Sequence, residues 1–97
     1  MPPRDPYQSL VEAIRALHGC EARHVGSKLV REVFQGQTAW EGIVEEFALS
    51  GHPKATTCYA WSYRDGDTMH TVTVLALPPV DSPETAVKVA IAAEAKG

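Results

Sequence analysis

The residues best equipped for chemistry crowd into one stretch, GHPKATTCYAWSY at residues 51–63, which holds His52, Lys54, Cys58, Tyr59, Trp61 and Tyr63. Such a set can serve acid–base or nucleophilic chemistry, stack a ligand, or form the inside of a sheet. A thiol nucleophile needs a base within hydrogen-bond reach. His52 stands before Cys58 on the far side of Pro53, and His70 falls on the opposite face of the strand, so the pattern reads Cys58 as a small apolar group. His52 and Lys54 flank Pro53, which fixes its own φ and extends the residue before it. They therefore sit on a constrained loop between strands, where ligand-binding groups are often presented. With Arg64 or Lys28 nearby, this loop is a candidate for a small anionic ligand.

Tyr59, Trp61 and Tyr63 recur at every second residue, so on a strand they share one face. The Asp65-Gly66 pair is a strong signal for a two-residue hairpin loop, which sets Tyr63 opposite Thr68, Trp61 opposite His70 and Tyr59 opposite Val72. One face then carries Tyr59, Trp61, Tyr63, His70, Val72 and Val74. The other carries Cys58, Ala60, Ser62, Met69, Thr71, Thr73 and Leu75. Rings spaced this way stack bases in single-stranded nucleic-acid modules, at about 1–3 kcal/mol per base. They also face covering helices, with hydroxyls and indole N–H at the rim, and that is the reading adopted here. A pocket between sheet and helices lined by Tyr59, Trp61, Tyr63 and His70, with His52 as acid or base, is the small-enzyme or ligand-binding alternative.

No cofactor or metal set is legible. His18, Cys20 and His24 match no closed zinc spacing. Asp65, Gly66 and Asp67 resemble the start of a calcium loop without its later ligands. Glu45 and Glu46 are neighbours, and on a strand they point to opposite faces.

These groups need elements to position them. Asp5-Pro6 with Gln8 three residues after the aspartate predicts a helix start, and Tyr7, Leu10, Val11, Ile14 and Leu17 recur at helical spacing up to Gly19. Residues 24–35 fit a strand by Val30, Glu32 and Phe34 and a helix by Leu29, Val30, Val33 and Phe34. A hairpin loop at Gly36-Gln37 and the strand-favouring Thr38-Ala39-Trp40 weigh for a strand. Two further strands, Thr56 to Tyr63 and Thr68 to Leu77, follow the break at residues 50–53. After Pro78-Pro79, the segment DSPETAVKVAIAAEAK predicts a helix capped by Asp81 or Ser82, with Ala86, Val87, Ala90, Ile91 and Ala93 as its apolar stripe. The expectation is an α+β domain over residues 1–97, ordered α-β-β-β-β-α, with a four-stranded antiparallel meander and both helices packed on one face.

Composition narrows the function classes. The 97 residues carry a net charge of −3, and the nine Lys and Arg are scattered, so the basic footprint of a nucleic-acid binder is missing. No apolar run approaches a membrane span, and the N-terminus lacks the apolar centre of a signal peptide, so the expected location is the cytoplasm with Cys20 and Cys58 reduced. Small size and apolar groups on both sheet faces argue for self-association as a homodimer.

The segments TAWEGIVEEFALSGHPKATTCYAW and LPPVDSPETAVKVAI resemble a group of short bacterial proteins of no assigned function that share a W-x-G strand, a G-H-P-x-A turn, a Y-A-W strand and a P-P-V-x-S-P helix start. The resemblance covers residues 38–92. It implies a bacterial, cytoplasmic origin and carriage on mobile elements such as integron gene cassettes, and it brings no activity, cofactor or catalytic residue. Without the first strand, the order would also be similar to a double-stranded-RNA-binding domain. Those domains start the last helix with lysines, where this chain has Asp81, Ser82, Pro83 and Glu84, which repel phosphate. The reading reached is a small binding or interaction protein with no legible catalytic machinery.

Overall fold

The computed structural model describes residues 6–96. Their order is α1 (Gln8–His18), β1 (Glu21–Phe34), β2 (Gln37–Ser50), β3 (Thr57–Asp65), β4 (Thr68–Leu75) and α2 (Pro83–Lys96), and the strands form one antiparallel sheet in the order β1-β2-β3-β4. This is the expected α+β meander. Residues 24–34 are strand and Gln35 begins the turn, and burial in the strand separates buried Val30 from exposed Leu29 and Val33.

The helix ends show how local chemistry sets boundaries. Tyr7 occupies the cap position of α1 without a side-chain cap, and Asp5, the expected cap, lies outside the described residues. Gly19 closes α1 at φ +68, its N–H donating to the Arg15 carbonyl at 2.9 Å. Ser82 caps α2, accepting from the Thr85 N–H at 3.2 Å, while the Thr85 hydroxyl accepts from the N–H groups of Asp81 and Ser82 at 3.0 Å.

Both hairpin loops are displaced from the expected positions. The first is Gln35-Gly36, both at positive φ as a type I′ turn requires, where the sequence suggested Gly36-Gln37. The second is Gly66-Asp67, because a type II′ turn needs glycine first; Gly66 has φ +62 and Asp65 pairs with Thr68. Tyr63 thus faces His70, Trp61 faces Val72 and Tyr59 faces Val74. That register differs from the expected one by two residues, an even number, so the predicted division into two faces survives.

The helices do not share a face. Cys58 and Ala60 pack with Leu10 and Ile14 of α1, whereas Tyr59 and Trp61 pack with Ala86 and Val87 of α2. Since neighbours on a strand point to opposite sides, α1 and α2 cover opposite faces of the sheet, which corrects the expected one-sided arrangement. Residue volume explains the division: the small Cys58 and Ala60 admit α1, and the alanine-rich stripe of α2 leaves room for two large rings. Lys28 of β1 bonds Glu84 of α2 at 2.5 Å, and Lys88 approaches Glu32 at 3.9 Å, so the helix is also tied to the first strand.

Among the described residues, β2 pairs with β3 only through Glu45–Ala60, Glu46–Tyr59, Phe47–Cys58 and Ala48–Thr57. The sheet is continuous across four strands at this waist alone. Beyond it, Gln37–Val44 of β2 remains paired with β1, and Trp61–Asp65 of β3 remains paired with β4. The two hairpins part from each other there. Among the described residues, no helix is long and apolar enough to cross a membrane.

Candidate functional site: an aromatic cleft beneath the second helix

Where the hairpins part, the α2 side of the sheet is left incompletely filled. Trp40 from β2, Trp61 and Tyr63 from β3, Val72 from β4, and Val87, Ala90 and Ile91 from α2 line a cleft of about 260 Å³. The two indoles meet edge to face, 5.6 Å between centroids at 63°, a favoured geometry for aromatic pairs. Trp40 reaches this position because residue 42 is glycine: a Cβ there would lie 3.0 Å from the Trp40 ring. Tyr63 is held from its other side by His70, stacked at 5.0 Å and 23°.

The sequence-predicted candidates therefore separate. Trp61 and Tyr63 line the cleft. His70 lies behind Tyr63 and supports it. Tyr59 is on the same face but inside the core, and its phenol pKa is raised first by burial and then by the nearby carboxylates of Glu46, Asp81 and Glu84. His52 and Lys54 are not among the lining residues. The His52 Nδ1 accepts the N–H of Lys54 at 3.1 Å and of Ala55 at 2.9 Å, so this imidazole closes its own turn. Trp40 is the cleft residue that attention to residues 51–63 misses; its parity with Val44 on β2 was the available signal. Tyr63 is the one titratable side chain among the lining residues. The cleft can exclude water and stack a flat group, and it brings no acid–base pair to it.

A second polar cluster lies on the α1 side. His24 stacks on Tyr7 at 3.7 Å and 8°, and its Nε2 lies 2.8 Å from Glu45 Oε1 and 3.3 Å from Ser27 Oγ, while the Ser27 hydroxyl donates to the same carboxylate oxygen. A Ser-His-acid relay requires the acid on Nδ1 and the hydroxyl on Nε2. Here both partners meet one nitrogen and each other, which makes a closed cross-strand bond network between β1 and β2. Glu45 and Glu46 point to opposite faces as expected. Among the described residues, no group of three His, Cys, Asp or Glu side chains could hold a metal ion.

Cys58 and Cys20 are free and buried, and burial pushes the Cys58 thiol up to about 12, which keeps it protonated and inert at neutral pH. His18 lies 2.9 Å from the Thr73 hydroxyl, and its pKa falls below the ordinary value of 6.5, first through burial and then through the charge of nearby His52. A histidine whose folded pKa is depressed binds its proton less well in the folded state, so its contribution to stability is complete above pH 6.5 and is lost as pH falls through the lowered value. Urea midpoints measured from pH 7.5 down to pH 5 should therefore decline, and His18→Gln, which keeps a partner for Thr73, should flatten the first part of that decline. An unchanged profile in His18→Gln would assign the acid sensitivity to other groups.

No family model, curated protein or solved structure matches this chain.

Proposed function

We propose that the protein is a small binding protein that takes the flat, apolar part of a small molecule between Trp40, Trp61 and Tyr63. The observation that carries this is an incompletely filled cleft in the middle of a small domain, walled by three rings and four aliphatic side chains. Interiors close-pack, and a gap of this kind lowers stability unless something is gained by keeping it open. At about 260 Å³ it lies just below the usual range for drug-sized ligands and suits a single ring or a fused pair. The enzyme alternative draws no support from the lining, since His52 is committed to its loop. The nucleic-acid alternative needs exposed rings, and Trp61 is only 3% exposed beneath α2.

The test uses the two indole N–H signals in a proton–nitrogen correlation spectrum, with p-cresol and indole as probes. Both signals should shift saturably with one Kd, and Ala90→Leu, which extends a half-buried lining residue into the cleft, should abolish the shift while the rest of the spectrum is retained. Unsaturable shifts, or shifts identical in Ala90→Leu, would remove the proposal.

Self-association as a homodimer is a second reading. It is favoured by Leu29, Val33, Ile43 and Met69, large apolar side chains left exposed on a domain of 97 residues. A bacterial cytoplasmic setting and carriage on a mobile element, implied by the resemblance of residues 38–92, belong to the same proposal and are checked by the genomic neighbourhood of the gene.

A further inference from the structure

We propose that the α1 face of the sheet carries a second binding site, a cavity headed by the Glu45 carboxylate that takes a small primary amine in its ammonium form. This site lies across the sheet from the aromatic cleft and does not depend on it.

The first observation is where the fold leaves space on this side. Glu45–Ala60 is the last pair of the β2–β3 ladder, so Ile43 and Ser62, which would oppose each other next on this face, stand on strands that have parted. With the start of α1 they enclose a cavity of about 540 Å³, whose wall includes Tyr7, Leu10, Ile43, Glu45, Ser62 and Met69. That volume lies within the usual range for small-molecule sites. The wall is mixed, apolar from Leu10, Ile43 and Met69 and polar from Ser62 and Glu45.

The second observation is charge. Among the described residues, Glu45 is the one charged side chain bordering this cavity, and only 15% of it is exposed. Its Oε1 is occupied by the Ser27 hydroxyl and by His24 Nε2 at 2.8 Å. Among the described residues no hydrogen bond or ion pair reaches Oε2, and the one unpartnered side-chain oxygen cut off from solvent is Glu32 Oε1, so Glu45 Oε2 opens on the cavity. The arginines of this face do not answer it: Arg31 pairs with Glu41 at 3.5 Å, and Arg64, opposite Met69, does not border the cavity. A carboxylate held this far out of water is costly without a cation. The third observation selects the cation. A guanidinium fork wants both oxygens of a carboxylate, and here Oε1 is taken. An ammonium is a point charge with three donors. One suits Oε2, and a second suits the Ser62 hydroxyl, which lies 3.4 Å from Thr71 Oγ1 and keeps a lone pair. The apolar stem then lies along Leu10, Ile43 and Met69.

Titration with n-pentylamine at pH 8, above the usual histidine range, tests this through the backbone amides of residues 43–45 and 62 in a proton–nitrogen correlation spectrum. Those amides should shift saturably, and n-pentanol, which has the stem without the charge, should bind about tenfold more weakly or less tightly still. Glu45→Gln keeps an oxygen for His24 and Ser27 and turns an amide N–H toward the cavity, so pentylamine binding should fall about tenfold or more. Ser62→Leu fills the cavity from its exposed wall without touching the Glu45 network and should abolish the shifts. Ala90→Leu, which blocks the aromatic cleft on the other face, should leave them unchanged, so the two sites stand or fall separately. Unsaturable shifts, pentanol binding as tightly as pentylamine, or full binding retained in Glu45→Gln would overturn the site. Should Glu45→Gln fail to fold, Ser62→Leu decides, and undiminished binding there overturns it equally. Pentylguanidine binding more tightly than pentylamine would overturn the assignment to an ammonium.

Discussion

Phe47→Ala should bring the protein to the edge of unfolding at room temperature. Phe47 is fully buried at the waist of the sheet, in the cross-strand row His24–Phe47–Cys58–Leu75, the kind of row that crosses all four strands only there. Its ring is met edge on by His24 at 5.4 Å and by Tyr7 at 6.5 Å, and Leu10 and Ile14 of α1 belong to the same cluster. Truncating such a residue removes its transfer energy and leaves a cavity, together about 3–5 kcal/mol. A domain of this size holds only about 5–10 kcal/mol in total. Because the β2–β3 ladder has only four pairs, the join between the two hairpins depends on side-chain packing at the waist and on the helices that pack across it, so the cavity sits where the sheet can least tolerate movement. Urea unfolding followed by circular dichroism should show the midpoint falling by more than half, whereas Phe47→Leu, which keeps most of the volume, should lose about 1.5 kcal/mol or less. A loss below about 1 kcal/mol for Phe47→Ala would mean that the waist is not the mechanical centre of the fold.

Periodicity made most of this architecture legible. Alternation along β2 sets odd-numbered Phe47 and Leu49 against even-numbered Trp40 and Val44, and Phe47 and Leu49 do pack toward α1 while Trp40 and Val44 pack toward α2. What periodicity cannot carry is which helix covers which face, because that depends on the summed volumes of residues far apart in sequence. Small residues at 58 and 60 beside large rings at 59 and 61 were the available clue, and they point to two helices of different girth on two sides. The loops moved by one residue because turn type is fixed by φ: Gln35 adopts +53°, which its side chain does not advertise. The parting of the hairpins was invisible for a different reason. Strand patterns report each strand's own alternation, and nothing in residues 37–44 or 61–65 taken alone says that they do not face one another. So Trp61 and Tyr63 could be named as ring-face residues, while the opening that turns them into a cleft wall, and Trp40's place in it, needed the ladder.

Trp61→Ala should be nearly as damaging as loss of Phe47, and it separates stability from binding. The indole is 3% exposed, with Val44, Tyr59, Val80, Ala86 and Val87 in its cluster. Its removal should cost about 3–5 kcal/mol, as for other buried aromatic truncations. Trp40 stands at the rim, half buried, and depends on Trp61 for its edge-to-face contact. Trp40→Ala should therefore cost about 1–2 kcal/mol and still remove a wall of the cleft, since a rim ring contributes contact area to a ligand without supporting the core. The order of stability losses, Trp61→Ala well above Trp40→Ala, with saturable p-cresol binding lost in both, is the signature of a cleft whose floor is core and whose rim is function. Iodide quenching of Trp40→Phe, which leaves Trp61 as the only indole, should be weak for the same reason. Equal losses in the two variants, together with iodide reaching Trp61 as freely as an exposed indole, would mean that α2 does not cover the ring face, and the rings of residues 59–63 would then form an open surface.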